Sequence, residues 1–235
     1  MMIYDWLRTR LFRFVLFLIL FGLIAASVIF RWAWIPAVDH AVQTVAFSLR
    51  NDLLTAVLTP LTYSGNWQSV TAICLLLLIL PPTRRWYGIP MTASAVVSVS
   101  LYQLLKYQVK RPRPDVALHL IVQDGFSFPS GHTLSCTMVW GTFLLLLYHY
   151  RRTAYCRPLQ SQQIGPAARF SPSVLRRPNP GDEVTVILTV VVTVYIILMG
   201  LSRIYLGVHW PTDVFASWCL GLALLAPISK CIERL

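Results

Sequence analysis

From Val184 to Leu201 the sequence reads VTVILTVVVTVYIILMGL without a charged side chain, and no other feature limits its fold as much. A helix advances about 1.5 Å per residue, so about 20 apolar residues carry it across roughly 30 Å of hydrocarbon. The run is rich in β-branched residues, which raises a strand, but it is too long for an ordinary strand and fits a spanning helix. Comparable runs recur along the chain. They predict an all-α integral membrane bundle of six transmembrane helices, at about 14–30, 66–81, 86–105, 132–148, 184–201 and 214–229. The start of the second is open, because the charge-free stretch reaches back to Leu53 through TPLTYSGNWQS, enough for a short outer helix and a turn. The whole chain, 1–235, reads as a single membrane-embedded domain.

Composition agrees with that reading. With 56% hydrophobic and 12% charged residues, a soluble domain would lack the polar side chains to cover its surface. A net charge of +11 would suggest nucleic-acid binding in a soluble protein. Here the basic residues fall between apolar runs, which points to lipid headgroups and topology, with the bilayer and no nucleic acid as partner. Cys74, Cys136, Cys156, Cys219 and Cys231 form no CxxC pair or zinc spacing, so structural roles are expected, with neither disulfides nor a metal site. No nucleotide-binding glycine-rich loop is present and no cofactor is expected.

Positive charge is retained on the cytoplasmic side of a membrane. With both termini inside, most basic residues are cytoplasmic, and Arg31, Arg50, Lys106, Lys110, Arg111, Arg113 and Arg203 fall outside. A cleaved signal peptide ending near AAS is the rival reading of the N-terminus, but its apolar run is long for one. The segment 150–183, rich in Pro, Ser, Gln and Arg, reads as a flexible cytoplasmic loop resting on anionic lipid.

The outward exceptions coincide with three polar stretches predicted at the same membrane face. KYQVKRPRP carries Lys106 and Arg113 at the end of the third span. FSFPSGHT places Ser130, Gly131 and His132 at the start of the fourth, where unpaired backbone N–H groups and a close approach at glycine can seat an anion. SRIYLGVHWPTD holds Arg203, His209 and Asp213. Pro211 suits the first turn of the sixth helix, so the Asp213 carboxylate can meet His209, fix its tautomer and leave one ring nitrogen nucleophilic. Cations, a helix end, two imidazoles and a carboxylate are the parts that phosphoryl transfer needs. Hydrolysis of a phosphate monoester calls for up to about 10²¹-fold acceleration, most of it from positioning and charge.

These three stretches, matching in order and at every key position, resemble the tripartite signature of the type 2 phosphatidic acid phosphatase superfamily. That superfamily of membrane lipid phosphatases also contains soluble vanadium haloperoxidases, a branch that the spans disfavour. The likeness covers Trp86 to the C-terminus; the N-terminal third carries no signature. It implies that His209 attacks phosphorus to form a phosphohistidine, that Asp213 orients it, and that His132 protonates the leaving group and then activates water. It assigns Lys106, Arg113, Ser130, the Gly131 amide and Arg203 to the phosphate oxygens. Lys110 and Arg111 fall between the motif positions and stand only as candidates to face headgroups. The expected activity is metal-independent hydrolysis of a lipid phosphate or diphosphate, with undecaprenyl diphosphate and phosphatidylglycerophosphate favoured, at the outer face of a bacterial cytoplasmic membrane. A lipid phosphotransferase is the enzymatic alternative. An anion transporter is disfavoured, because the charges gather at one surface instead of lining the spans. The physiological lipid and the oligomeric state stay open.

Overall fold

The structure, a computed structural model, describes residues 2–156 and 182–234. The described residues are helical, with no strand. Helix α1 (Met2–Ile29) is followed by α2 (Trp34–Ser48), α3 (Asp52–Ser64) and α4 (Trp67–Ile79). A short turn, α5 (Pro81–Thr83), and a π-helical turn, Arg84–Gly88, lead into α6 (Ile89–Val109). Then come α7 (Gly131–Cys156), α8 (Glu183–Tyr205) and α9 (Pro211–Ile232). Among the described residues, four stretches are long and apolar enough to cross a membrane: Arg10–Ile29, Pro81–Val109, Glu183–Tyr205 and Pro211–Ile232. They leave large apolar side chains uncovered, among them Ile19, Leu23, Val96, Val190 and Val191. In water such a surface would drive aggregation; against acyl chains it is the expected exterior.

The two other expected spans have clear physical reasons for differing. Helix α4 is apolar but has 13 residues, a rise of about 20 Å, and stops where Leu80 meets Pro81. Helix α7 has 26 residues and is longer than expected, continuing through Arg151 and Arg152 to Cys156. It is less apolar because it is the central helix, packed against α6, α8 and α9. Its hydroxyls face protein: Thr142 meets Ser94 at 2.7 Å and Ser135 meets Ser98 at 3.0 Å, both across to α6. Interhelical bonds of this kind contribute about 0.6 kcal/mol each in a membrane. Against α9 the fit is closer. A Cβ at Gly221 would stand 2.6 Å from Thr137 Cγ2, so only glycine allows this approach.

Helix α1 packs along α9. Its upper end joins Val28, Ile35, Phe128 and Ala216 in one apolar cluster, which ties the N-terminal helices to the loop before α7. Helix α3 is capped by Asn51, whose Oδ1 accepts the Leu54 N–H at 2.8 Å, and α2 and α3 both pack against α8. The turn Gly65–Asn66 then redirects the chain into α4, so the stretch from Leu53 does resolve into a short helix, a turn and an apolar helix. Helix α2 has no counterpart among the expected elements. Most of the expected 150–183 loop lies outside the described residues; its edges are the last turn of α7 and the cap of α8, joined by the Arg151–Asp182 pair at 2.5 Å. Cys74 and Cys136 are buried and unpaired, in keeping with structural roles.

Candidate active site

The ends of α6, α7, α8 and α9 meet on one side of the bundle, and the loop from Lys110 to Ser130 folds over them. Lys110 adopts a left-handed conformation (φ 49°), which ends α6 and turns the chain. The turn places Lys106, in the last turn of α6, beneath the loop, where its Nζ donates to the Phe126 carbonyl at 2.8 Å. Arg113 threads the same loop. It donates through Nε to Gly125 O at 2.9 Å and through Nη1 to Val208 O at 2.5 Å.

At the far end of α8 the Arg203 carbonyl accepts from the Val208 and His209 amides, at 3.2 and 3.3 Å. Gly207 makes this tight turn possible with φ 78°, and a side chain there would run into the Leu118 carbonyl. The turn presents His209 just before α9, as Pro211 in the first turn of that helix led one to expect. Its Nδ1 lies 3.4 Å from Asp213 Oδ2 and its Nε2 lies 3.2 Å from Arg113 Nη1. Burial, followed by the charges of Arg113, Arg203 and Lys106, pushes the His209 imidazole well below its ordinary value, so it is neutral near pH 7. Burial also pulls Arg113 down, to about 10, which leaves it protonated.

His132 opens α7, with Nε2 at 2.6 Å from Asn66 Oδ1. Arg203 is 1% exposed, so every contact of its guanidinium is with protein or the cavity. Nη1 donates to Thr62 Oγ1 at 2.7 Å and Nη2 to Gln123 Oε1 at 2.6 Å, while Nε has no protein partner among the described residues. The Asp213 carboxylate is fully buried and surrounded by donors. Oδ1 accepts from Arg111 Nη1 at 2.6 Å; Oδ2 accepts from the Trp210 amide at 2.9 Å and from the Ser127 hydroxyl.

Lys106, Arg113, Gly131, His132, Arg203 and His209 line one cavity of about 850 Å³. The two imidazoles therefore face the same space. Ser130 is fully buried beside it, with its hydroxyl 2.9 Å from Thr133 Oγ1 and its carbonyl accepting the Leu134 amide. At Gly131 a Cβ would stand 3.2 Å from the Tyr102 ring. Of the two candidates to face headgroups, Arg111 does not do so. It turns inward, between Asp213 and Asp39 of α2, whereas Lys110 is exposed. Asn66, Thr62, Gln123, Ser127 and Asp39 were not anticipated as parts of the site. Each enters through hydrogen bonds made possible by tertiary packing, with no local spacing to announce them.

The PAP2 superfamily pattern matches residues 87–235. The chain belongs to the PAP2 superfamily. It is 28% identical over 224 residues to phosphatidylglycerophosphatase B of Bacillus subtilis, covering 93% of this chain and 94% of that one. It is 29% identical over 160 residues to an undecaprenyl-diphosphatase of Sulfolobus acidocaldarius, covering 66% of this chain and 58% of that one. Among solved structures, the transmembrane PAP2 type phosphatidylglycerolphosphate phosphatase of Bacillus subtilis superposes with a TM-score of 0.72 at 24% identity, over 95% of this chain and 98% of that one. Aquifex aeolicus LpxE superposes with a TM-score of 0.54 at 22% identity, over 81% and 93%. As a PAP2 phosphatase, the chain is a membrane hydrolase of lipid phosphates.

Proposed function

We propose that this PAP2 protein hydrolyses a lipid phosphate or diphosphate through a phosphohistidine, with undecaprenyl diphosphate and phosphatidylglycerophosphate the favoured substrates. The observation that carries the reading is the composition of the cavity. Its polar end gathers Lys106, Arg113, Arg203 and both histidines, and its wall continues along Val70, Cys74, Leu75, Leu78, Val96 and Val99 of α4 and α6. A phosphate and an apolar chain thus have adjoining surfaces.

His209 is the nucleophile. Neutral Nε2 attacks phosphorus, the P–N bond forms, and the P–O bond to the lipid breaks as His132 supplies a proton to the departing oxygen. His132 then takes a proton from water, which attacks phosphorus and releases phosphate as the P–N bond cleaves. Asp213, facing Nδ1, keeps the reactive nitrogen free and steadies the imidazole as charge develops. Arg113, 3.2 Å from Nε2, stands beside the oxygens of a phosphoryl group attached there, and the unpartnered Nε of Arg203 is a donor available to them. Lys106 adds a third cation, Ser130 and the Gly131 amide complete the phosphate seat, and the reaction calls for no metal.

The chain forms a single domain over 1–235, and α1, α4, α6, α7, α8 and α9 make six crossings of a cytoplasmic membrane. Both termini are cytoplasmic and the cavity opens to the outer face, which explains why Lys106, Arg113 and Arg203 depart from the positive-inside pattern. The test is phosphate release by purified protein from a panel of lipid phosphates and diphosphates, with and without chelator. Release that survives chelation is expected. Loss on chelation would overturn the metal-free scheme, and labelled phosphate appearing on an added lipid instead of in solution would identify a transferase.

A further inference from the structure

Arg111 lies outside the phosphate cavity, yet it links two fully buried carboxylates. Nη1 reaches Asp213 Oδ1 at 2.6 Å and Thr212 Oγ1 at 2.8 Å; Nη2 reaches Asp39 Oδ2 at 2.5 Å. Asp39 in turn receives the Thr212 amide and hydroxyl on Oδ1, both at 2.9 Å, so it caps the exposed donors at the start of α9. The Arg111 guanidinium also lies 5.5 Å from the centre of the Trp210 ring, which meets the His40 ring edge-on at 5.6 Å. Burying three charges is costly unless each is paired and hydrogen-bonded, and here they form a closed chain from α2 to the carboxylate that faces His209.

We propose that Arg111 is a positioning residue: clamped between Asp39 and Asp213, it holds the Asp213 carboxylate against Nδ1 of His209 and sets the net charge felt by that imidazole. The proposal rests on the assignment of His209 as nucleophile. The guanidinium bonds the two carboxylates from two separate nitrogens held in one rigid plane; an ammonium would have to serve both from a single nitrogen with no fixed orientation. The other charged and titratable groups around His209 are Arg113 in the covering loop, Lys106 on α6, His132 on α7 and Arg203 on α8, with Asp213 itself on α9. All of them except Asp213 push against protonation when charged. The Asp39 and Arg111 charges act in opposite senses on the same ring, and that opposition separates a positioning role from a merely structural one.

The full-length protein, ring-labelled with nitrogen-15 histidine in detergent micelles, reports the titration of His209 directly, its signal identified by loss in His209→Gln. Arg111→Gln removes a cation and should move that titration up by about one pH unit. Asp39→Asn removes an anion and should move it down. Arg111→Lys keeps the charge and loses the fork, so the titration should stay within a few tenths of wild type while kcat on a lipid phosphate falls about tenfold or more. Titrations that do not move in Arg111→Gln and Asp39→Asn, or that move the same way, overturn the clamp. If Arg111→Gln fails to fold, the downward shift in Asp39→Asn decides alone. A wild-type protein that releases phosphate from no lipid would refute the phosphatase reading, and the ring titrations would still judge the clamp.

Discussion

His209, His132, Lys106, Arg113 and Arg203 lie within 87–235, the segment that the PAP2 superfamily matches, whereas several of the atoms that orient them come from residues 1–86. Asn66 Oδ1 meets His132, Thr62 Oγ1 meets Arg203, and the Asp39 carboxylate reaches Asp213 through Arg111. One region presents chemistry to the cavity; the other fixes the angles at which it is presented. Helices α2 and α3 are joined to the family-matched half by packing on α8 and by the Arg50 guanidinium, which donates to the Tyr205 carbonyl at 2.8 Å. The lesson is that a segment with no signature of its own can still determine the geometry of the signature. Substitutions in the two regions should therefore fail differently.

The largest effect belongs to the proposed nucleophile. His209→Ala should reduce kcat by at least about 10⁴-fold with every lipid phosphate, because in the proposed mechanism the covalent intermediate forms on this ring. Turnover near the wild-type level would remove His209 from that role. His132→Ala should cost about 10² to 10⁴-fold on a lipid substrate, and far less on an aryl phosphate whose leaving group departs without a proton. Quenched single-turnover assays should still trap phosphoenzyme in that variant. Equal penalties on both substrates would mean that His132 is not the acid.

The pH profile sharpens the same division. The mechanism needs His209 neutral, and its imidazole is held well below the ordinary range, first by burial and then by Arg113, Arg203 and Lys106. Protonation of the nucleophile therefore begins only at unusually low pH. The acid limb of kcat/KM should lie below the pH at which a free imidazole titrates, about 6.5. An acid limb at or above that value would show that the cations do not act on His209 as the geometry implies.

The residues that line the cavity in the C-terminal half were legible because they sit in short stretches whose spacing is set by helix ends. KYQVKRPRP, PSGH and SRIYLGVHWPTD each close or open a helix, and the helices bring them together. The orienting residues obey no such rule. Asn66 follows Gly65 in an ordinary turn, and Thr62 is one hydroxyl on an otherwise unremarked helix. Helix α2 escaped because Asp39, His40 and Gln43 interrupt its apolar run, and the reason Asp39 can be buried, Arg111, lies far away in sequence. Helix α7 runs on past the charge-free stretch for the opposite reason. Arg151 and Arg152 look like the edge of a span, but arginine is a good helix former and Arg151 finds a partner in Asp182.

Asn66→Ala should fall between the two regions. It leaves the imidazole of His132 in place and removes the atom that orients it, so kcat on a lipid substrate should drop about tenfold to a hundredfold, part of what complete loss of general acid–base catalysis costs. The drop should shrink on an aryl phosphate, in parallel with His132→Ala. A loss that is the same on both substrates would place Asn66 in folding or binding instead, and the proposed division between the two regions would fail at this point.

The smallest effect is expected from Thr62→Val, which keeps the shape and removes the hydroxyl that accepts from Arg203 Nη1. Arg203 is 1% exposed, so the freed donor cannot turn to water without rearrangement. It retains Gln123 on Nη2, however, and a bound phosphate offers Nη1 a stronger acceptor than the one lost. The free protein should thus be destabilised by about 1–3 kcal/mol, and saturating orthovanadate should recover part of the lost Tm. KM should rise by no more than about tenfold, equivalent to 1.4 kcal/mol, with kcat nearly unchanged. A fall in kcat as deep as that of His132→Ala would mean that the N-terminal segment takes part in the reaction itself, and the separation between presenting and orienting residues would have to be redrawn.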